Sequence, residues 1–201
     1  MSEQVIVIGG GGHAKAVIDC IQSAGDTVAG ILDDGLTKGS TVLGIPVLGS
    51  TFDYRKYADK KFIIAIGSNA VRRKIAEFME VAWYTAMHPR AVISRYARIG
   101  AGSVVLANAV IHTEATVGRH CIVNTGAIIE HDNRIGEYVH ISPAAALGGT
   151  VCVGNETHIG IGAVVRNNVV ICDSCVIGAG AVVVKNITES GTYVGVPAHK
   201  K

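Results

Sequence analysis

The chain has 201 residues, 49% of them apolar and 17% charged, with 25 glycines, which is the make-up of a globular protein and excludes a disordered or fibrous one. A net charge of +2 without a long Lys/Arg block speaks against nucleic acid or an acidic membrane surface as partner. No apolar run approaches the roughly 18 residues of a membrane span, and the start of the chain has neither the charged leader nor the apolar segment of a signal peptide. The five cysteines (Cys20, Cys121, Cys152, Cys172 and Cys175) are therefore expected as thiols of a cytoplasmic protein.

Val5-Ile6-Val7-Ile8 reads as a short buried strand. Gly9, Gly10, Gly11, Gly12 and His13 then lead into the helical pattern Ala14, Val17, Ile18 and Ile21. A second strand over 28–32 ends in Asp33 and Asp34, and a third over 62–66 runs into Gly67, Ser68 and Asn69 before a helix expected over 72–81. This is a Rossmann-like strand–helix–strand unit. Its turn reads Gly9-x-Gly11-x-x-Ala14, a variant of the dinucleotide fingerprint, with the acidic pair about 20 residues on. Free N–H groups at the start of the helix suit a phosphate or another polar oxygen. The unit stops near Tyr84 with no second mononucleotide half, which favours a nucleotide-linked ligand over NAD. The plainer alternative is a turn that only tightens strand-to-helix packing.

From Met87 a large apolar residue recurs every six positions (Ile93, Ile99, Val105, Ile111 and so on) without a miss to Val183. Four residues after most of them stands a small one, such as Ala97, Ala109, Cys121, Ala127 or Ala145; Asn133 and Thr157 are the conspicuous polar exceptions. Glycine often follows the large residue, as at Gly100, Gly118 and Gly148, where a corner is expected to need a residue without Cβ. A period of six fits neither a helix face nor a coiled coil, but it fits a short strand plus a corner. Three hexads then make one triangular coil of a parallel β-helix, and about six coils at roughly 4.8 Å give a prism about 27 Å tall. The expected division is a Rossmann-like α/β domain over 1–86 and an all-β helix over 87–201.

Polar residues that interrupt the repeat are candidates for chemistry. Glu130, His131, Asp132 and Asn133 fill what should be a plain corner, and His131 beside Asp132 suits a general base whose tautomer a carboxylate fixes; a solvated corner is the alternative. The 18-residue coil puts Gly148 and Gly149 one coil above, with backbone N–H groups available for an oxyanion. His140 and His158 are 18 apart and stack on one face, where they bracket a ligand or bind a metal; no close His pair of the kind a zinc carbonic anhydrase needs is present, so no metal is expected. His112 and His120 read as surface corners, Cys172 and Cys175 as packing residues, and Lys185 as a surface charge or a cofactor-phosphate contact.

The segments from Val5 to Lys15, Ile31 to Asp34, Phe62 to Asn69, Asn124 to Asp132 and Gly136 to Ser142 resemble the sialic acid O-acetyltransferase and bacillosamine N-acetyltransferase family of hexapeptide-repeat enzymes. The resemblance implies a left-handed β-helix, acetyl-CoA as co-substrate without a metal, a nucleotide-linked amino sugar as acceptor, and a homotrimer with sites between subunits. It implies His131 as catalytic base with Asp132 raising its basicity. The implied nucleotide-sugar contacts are Gly11, Gly12, His13, Asp33, Asp34 and Gly67, and the implied acetyl-CoA contacts His140, Ile161 and Ala179. The expected reaction is direct N-acetylation of a UDP-4-amino-4,6-dideoxy sugar type of acceptor, with O-acetylation of a sialic acid or other sugar hydroxyl as the alternative.

Overall fold

A computed structural model describes residues 2–201. The N-terminal unit is a five-stranded sheet in the order β3-β4-β2-β1-β5, built from β1 (Gln4–Ile8), β2 (Thr27–Leu32), β3 (Thr41–Val42), β4 (Ile45–Gly49) and β5 (Lys61–Ile64). All its pairings are parallel except β3 with β4. β1, flanked by β2 and β5, alternates between two cores. Val5 and Val7 pack under α1 (Gly12–Ser23) with its Ala14, Val17, Ile18 and Ile21. Ile6 and Ile8 pack on the other face with Tyr54, Phe62 and Met79, beside α2 (Asn69–Phe78). α2 lies three residues earlier than the expected 72–81, because the chain turns into helix directly after Ser68. The β3–β4 hairpin, absent from the sequence reading, forms one end of the sheet, and its Pro46 lies on β4 just before the pairing with β2 begins at Val47.

From Ala86 to Val183 two- and three-residue strands follow one another round three parallel sheets, each residue pairing with the one 18 positions on, as in Ile122 with His140 and His140 with His158. The large apolar residues and the small ones point inward together and form a single column of core from Val105 to Val183. Below it the first coil is open, and Met87 is 45% exposed.

The corners work differently from the sequence expectation. The residue with positive φ is the third after each large aliphatic, and it is mostly not glycine: Asn108, Glu114, His120, Asp132, Tyr138, Ala144 and Thr150 all lie between +53° and +60°. The glycines directly after the large residue are required for close approach of successive coils. A Cβ on Gly118 would lie 2.5 Å from the carbonyl oxygen of Gly136, and one on Gly148 would lie 2.7 Å from the backbone nitrogen of Asn167.

The three outer faces differ. One, carrying Val104, Ile122, His140, His158 and Val176, is docked on the N-terminal unit, whose α1-side core runs on into Val104 and Leu106. The second presents Val92, Val110, Ile128, Ala146, Val164 and Val182, one aliphatic residue per coil, with Val92, Ile128 and Val164 exposed. The third presents Arg98, Thr116, Arg134, Cys152 and Val170.

Candidate active site

His131 stands at the corner between the aliphatic face and the arginine-bearing face, between the strands Ile128–Ile129 and Arg134–Ile135. Its Nδ1–H donates to Asp132 Oδ2 at 2.7 Å, so the proton is held on Nδ1 and Nε2 is left as the basic nitrogen. Asp132 reaches this position from the left-handed corner conformation, at φ 60°. The imidazole lies against Gly149 of the next coil: a Cβ there would come within 2.5 Å of both Cε1 and Nε2. The ring thus rests where Gly149 carries no side chain.

Asn133 braces this corner from inside. Fully buried, it donates from Nδ2 to Glu130 O at 2.7 Å and to Gly148 O at 2.9 Å, which ties the His131 coil to the coil above. The N–H of Gly148 is committed to Val165 O at 2.9 Å, so of the two amides proposed for an oxyanion only that of Gly149 is free of a backbone partner among the described residues. On the arginine side an open groove of about 750 Å³, lined by Arg98, Glu114, Arg134, Thr150 and Asp132, runs up to the dyad.

A second cluster forms where the carboxyl ends of β1 and β5 meet the docked face of the β-helix, the position where open parallel sheets bind ligands. Gly11 caps α1 with no side chain of its own, and nothing lies within 4 Å of a Cβ on Gly11, Gly12 or Gly67. The ring of His13 is 6.2 Å from that of His140, which stacks on His158 at 4.7 Å and 7°. Asn124 Oδ1 accepts the Thr125 N–H, so Asn124 Nδ2 faces His140 Nε2 at 3.1 Å and the His140 proton sits on Nδ1. Burial, and secondarily the charge of His158, pushes His140 down to about 3; burial and then Arg72 push His13 down to about 4. Both are neutral imidazoles at pH 7, available as hydrogen-bonding groups and unsuited to carrying charge. A groove of about 330 Å³ bordered by Gly67, Asn69, Glu156 and His158 opens beside them.

Both members of the acidic pair accept backbone N–H groups. Asp33 Oδ2 accepts the Gly10 N–H at 2.7 Å and Oδ1 accepts those of Gly35 and Leu36, so this carboxylate is spent on holding the glycine turn. Asp34 Oδ1 accepts the Thr51 N–H at 2.7 Å. Ile161 and Ala179 stack one coil apart on the corner between the docked and the aliphatic face, both exposed, with Gly180 N–H bonded to Ile161 O. That corner and the His131 corner border opposite edges of the aliphatic face.

Arg72 and His120 went unnoticed as functional positions in the sequence. Fully buried Arg72 spends all five N–H groups at the junction, three within its own unit on Ile66 O, Gly67 O and Asn69 Oδ1, and two on the β-helix at His120 O (2.7 Å) and Tyr138 O (2.9 Å). Burial with no carboxylate at hand pushes it down to about 10. His120, expected at the surface, is 2% exposed, stacks on Tyr138 at 3° and meets the edge of Trp83. Cys172 and Cys175 approach to 3.5 Å as thiols, and burial pushes Cys175 up to about 12. Among the described residues no group of three or more His, Cys, Asp or Glu is placed to hold a metal ion, and no helix is long and apolar enough to cross a membrane.

Residues 4–79 match the family model of the PglD N-terminal domain. A UDP-N-acetylbacillosamine N-acetyltransferase of Bacillus subtilis is 39% identical over 112 residues, which is 52% of this chain and 52% of that protein; the chain thus aligns with about half the length of this curated relative. Over the whole chain it is similar to PerB from Caulobacter crescentus, solved in complex with CoA and GDP-perosamine (39% identity, 98% of this chain and 97% of that one, TM-score 0.93). It is likewise similar to the acetyltransferase domain of PglB from Neisseria gonorrhoeae in complex with acetyl coenzyme A (36% identity, 100% of both chains, TM-score 0.94). A Rossmann-like unit followed by a left-handed parallel β-helix, in this order and at this identity, shows that the chain belongs to the hexapeptide-repeat sugar-nucleotide N-acetyltransferase family.

Proposed function

We propose that this chain moves the acetyl group of acetyl-CoA onto the amine of a nucleotide-linked 4-amino-4,6-dideoxy sugar, directly and with His131 as general base. The observation that carries this reading is the His131–Asp132 pair at 2.7 Å, seated on Gly149 with Nε2 unblocked. PerB and the B. subtilis relative, named for a GDP-linked and a UDP-linked sugar, supply the acceptor class.

The sugar ammonium must first lose one proton to solvent to become the attacking free amine. As its N–C bond forms at the thioester carbonyl, the nitrogen gives a second proton to His131 Nε2, and Asp132 stabilises the resulting imidazolium. The carbonyl oxygen gains charge and is met by the free N–H of Gly149. When the C–S bond breaks, the proton passes from Nε2 to the CoA sulfur, and His131 is again neutral. The 1–86 unit holds the nucleotide sugar through the Gly11, Gly12 and His13 turn, Asp34 and Gly67, with Asp33 keeping that turn in shape. The 87–201 unit holds acetyl-CoA along His140, Ile161 and Ala179.

The working form in this reading is a homotrimer. The supporting observation is the unbroken aliphatic column from Val92 to Val182, an apolar face that a monomer would leave in water. With that face turned to a three-fold axis, the His131 corner of one chain comes beside the Ile161 and Ala179 corner of the next, joining two sets that one chain holds apart. Five cysteines, all free, fit a cytoplasmic setting.

The test is release of CoA thiol from acetyl-CoA with a panel of UDP-, GDP- and dTDP-linked 4-amino-4,6-dideoxy sugars, with mass spectrometry of the product. An alkali-stable gain of one acetyl group on one panel member is expected. An alkali-labile product would move the reading to O-acetylation, and no thiol release with any acceptor would refute acetyl transfer.

A further inference from the structure

We infer that Asn133 is a positioning residue that aims the Gly149 N–H at the reacting carbonyl, an inference that deepens the acetyl-transfer reading above and rests on it. Asn133 interrupts an apolar column. The inward residues of this corner, stacked 18 positions apart, are Ala97, Ala115, Asn133, Val151 and Val169, and only the coil that carries His131 has a polar one. Its Oδ1 is buried without a hydrogen-bond partner among the described residues, a cost that an alanine or a valine would not carry. Packing alone therefore does not account for an amide at this place.

The two protons of Asn133 Nδ2 are spent on two peptide groups. One goes to Glu130 O at 2.7 Å and one to Gly148 O at 2.9 Å, with His131 O a more distant third acceptor at 3.4 Å. In the two coils below, Ser94 O and His112 O accept the backbone N–H of Ala97 and Ala115, and at Glu130 O the Asn133 side chain takes that place. Carbonyl partners also fix which end of the amide faces them, since Oδ1 cannot donate.

The bond to Gly148 O sets the direction of the next amide. Among the described residues the one cis peptide is Val196–Pro197, so the Gly148–Gly149 peptide is trans, with its C=O and N–H pointing opposite ways in one plane. Asn133 is 0% exposed inside the prism, so the carbonyl it draws points inward and the N–H of Gly149 points out. Outside lies the imidazole of His131, resting on Gly149, and the Gly149 N–H has no backbone acceptor there. Glycine on both sides gives this peptide unusual freedom to turn, and the Asn133 bond removes it. One buried side chain thus ties the corner that bears the base to the donor that meets the oxyanion.

The same bond recurs elsewhere in the prism on simpler donors. Thr157 Oγ1 donates to Cys172 O at 3.0 Å and Ser103 Oγ to Gly118 O at 2.9 Å, each to a carbonyl 15 positions on, as Asn133 does to Gly148. A threonine at 133 can therefore supply the bond to Gly148 O. A valine of the same shape, the residue already present at 151 and 169, cannot.

The test compares Asn133→Val and Asn133→Thr with wild type for kcat, KM of acetyl-CoA and thermal midpoint, using acetyl-CoA and the nucleotide-linked amino sugar. In Asn133→Val kcat should fall roughly 10- to 100-fold, less than the 10²- to 10³-fold of removing an oxyanion donor outright. KM of acetyl-CoA should stay unchanged, as for an interaction made only in the transition state. Asn133→Thr should recover most of the lost turnover at the same thermal midpoint as the valine variant, which a purely structural role would not produce. If the valine variant does not fold, Asn133→Ala against Asn133→Ser makes the same comparison at the size of Ala115. Turnover of the apolar variant within a few-fold of wild type, or an equal loss in both members of the pair, overturns the positioning role. If wild type itself transfers no acetyl group, the acetyl-transfer reading fails and this inference falls with it.

Discussion

The imidazole of His131 lies on the α-carbon of Gly149, close enough that a Cβ there would sit 2.5 Å from Nε2. Gly149→Ala should therefore swing the ring off its seat without disturbing the core, which contains neither residue. A displacement near 1 Å at a reacting group costs on the order of 10²-fold. Turnover is expected to fall by about that factor with an unchanged thermal midpoint. Near-normal turnover in the folded variant would show that the ring does not need this seat.

Arg72 binds the two units through carbonyls of both, and its removal leaves His120 O and Tyr138 O buried without their donor. Arg72→Met should cost about 3–5 kcal/mol, the range for breaking a buried polar network. Chemical denaturation measures it; a loss below about 1 kcal/mol would mean that water replaces the guanidinium.

His13, His120 and His140 are held well below the ordinary histidine value, near 4, 4 and 3, chiefly by burial. An unfolded chain binds protons at these sites below about pH 6.5 while the folded one does not, so stability is full above that pH and is lost on acidification toward pH 4. Near pH 5 unfolding should take up about two to three protons. Urea midpoints measured from pH 7 to pH 4.5 check this, and a flat profile would contradict the neutral, buried state of these rings.

If the site lies between subunits, two inactive chains should restore each other. His131→Ala spoils one corner and Ile161→Trp the opposite one, and in a mixed trimer some interfaces pair an intact His131 corner with an intact Ile161 corner. Activity after unfolding and refolding the two variants together is expected to exceed that of either alone. Continued inactivity of a verified mixed trimer would place both corners in one chain's site.

Much of this was legible in the chain itself, for a physical reason. In the β-helix every contact along a column is a fixed 18 positions away, so Val105, Val123 and Ile141 announce their stacking in one dimension. His131 and Asp132 stood out because charged groups broke a corner pattern. Arg72 could not be read this way, since its partners are carbonyls of residues 48 and 66 positions away and a carbonyl is common to every residue. The turn fingerprint did not show that Asp33 accepts backbone N–H groups two and three residues on, since such bonds depend on the local turn and not on residue type. The corner glycines were foreseen in place and misjudged in cause, being set by coil-to-coil contact while Asp132 and Thr150 take the left-handed positions.

The most direct measurement is the rate of acetyl transfer to the nucleotide-linked amino sugar by wild type and by His131→Ala at saturating acetyl-CoA, with the oligomeric state of both verified. His131→Ala is expected to form the same trimer and bind CoA while its turnover falls by roughly 10²- to 10⁴-fold, the usual worth of a general base. Turnover within a few-fold of wild type would contradict a catalytic role for His131.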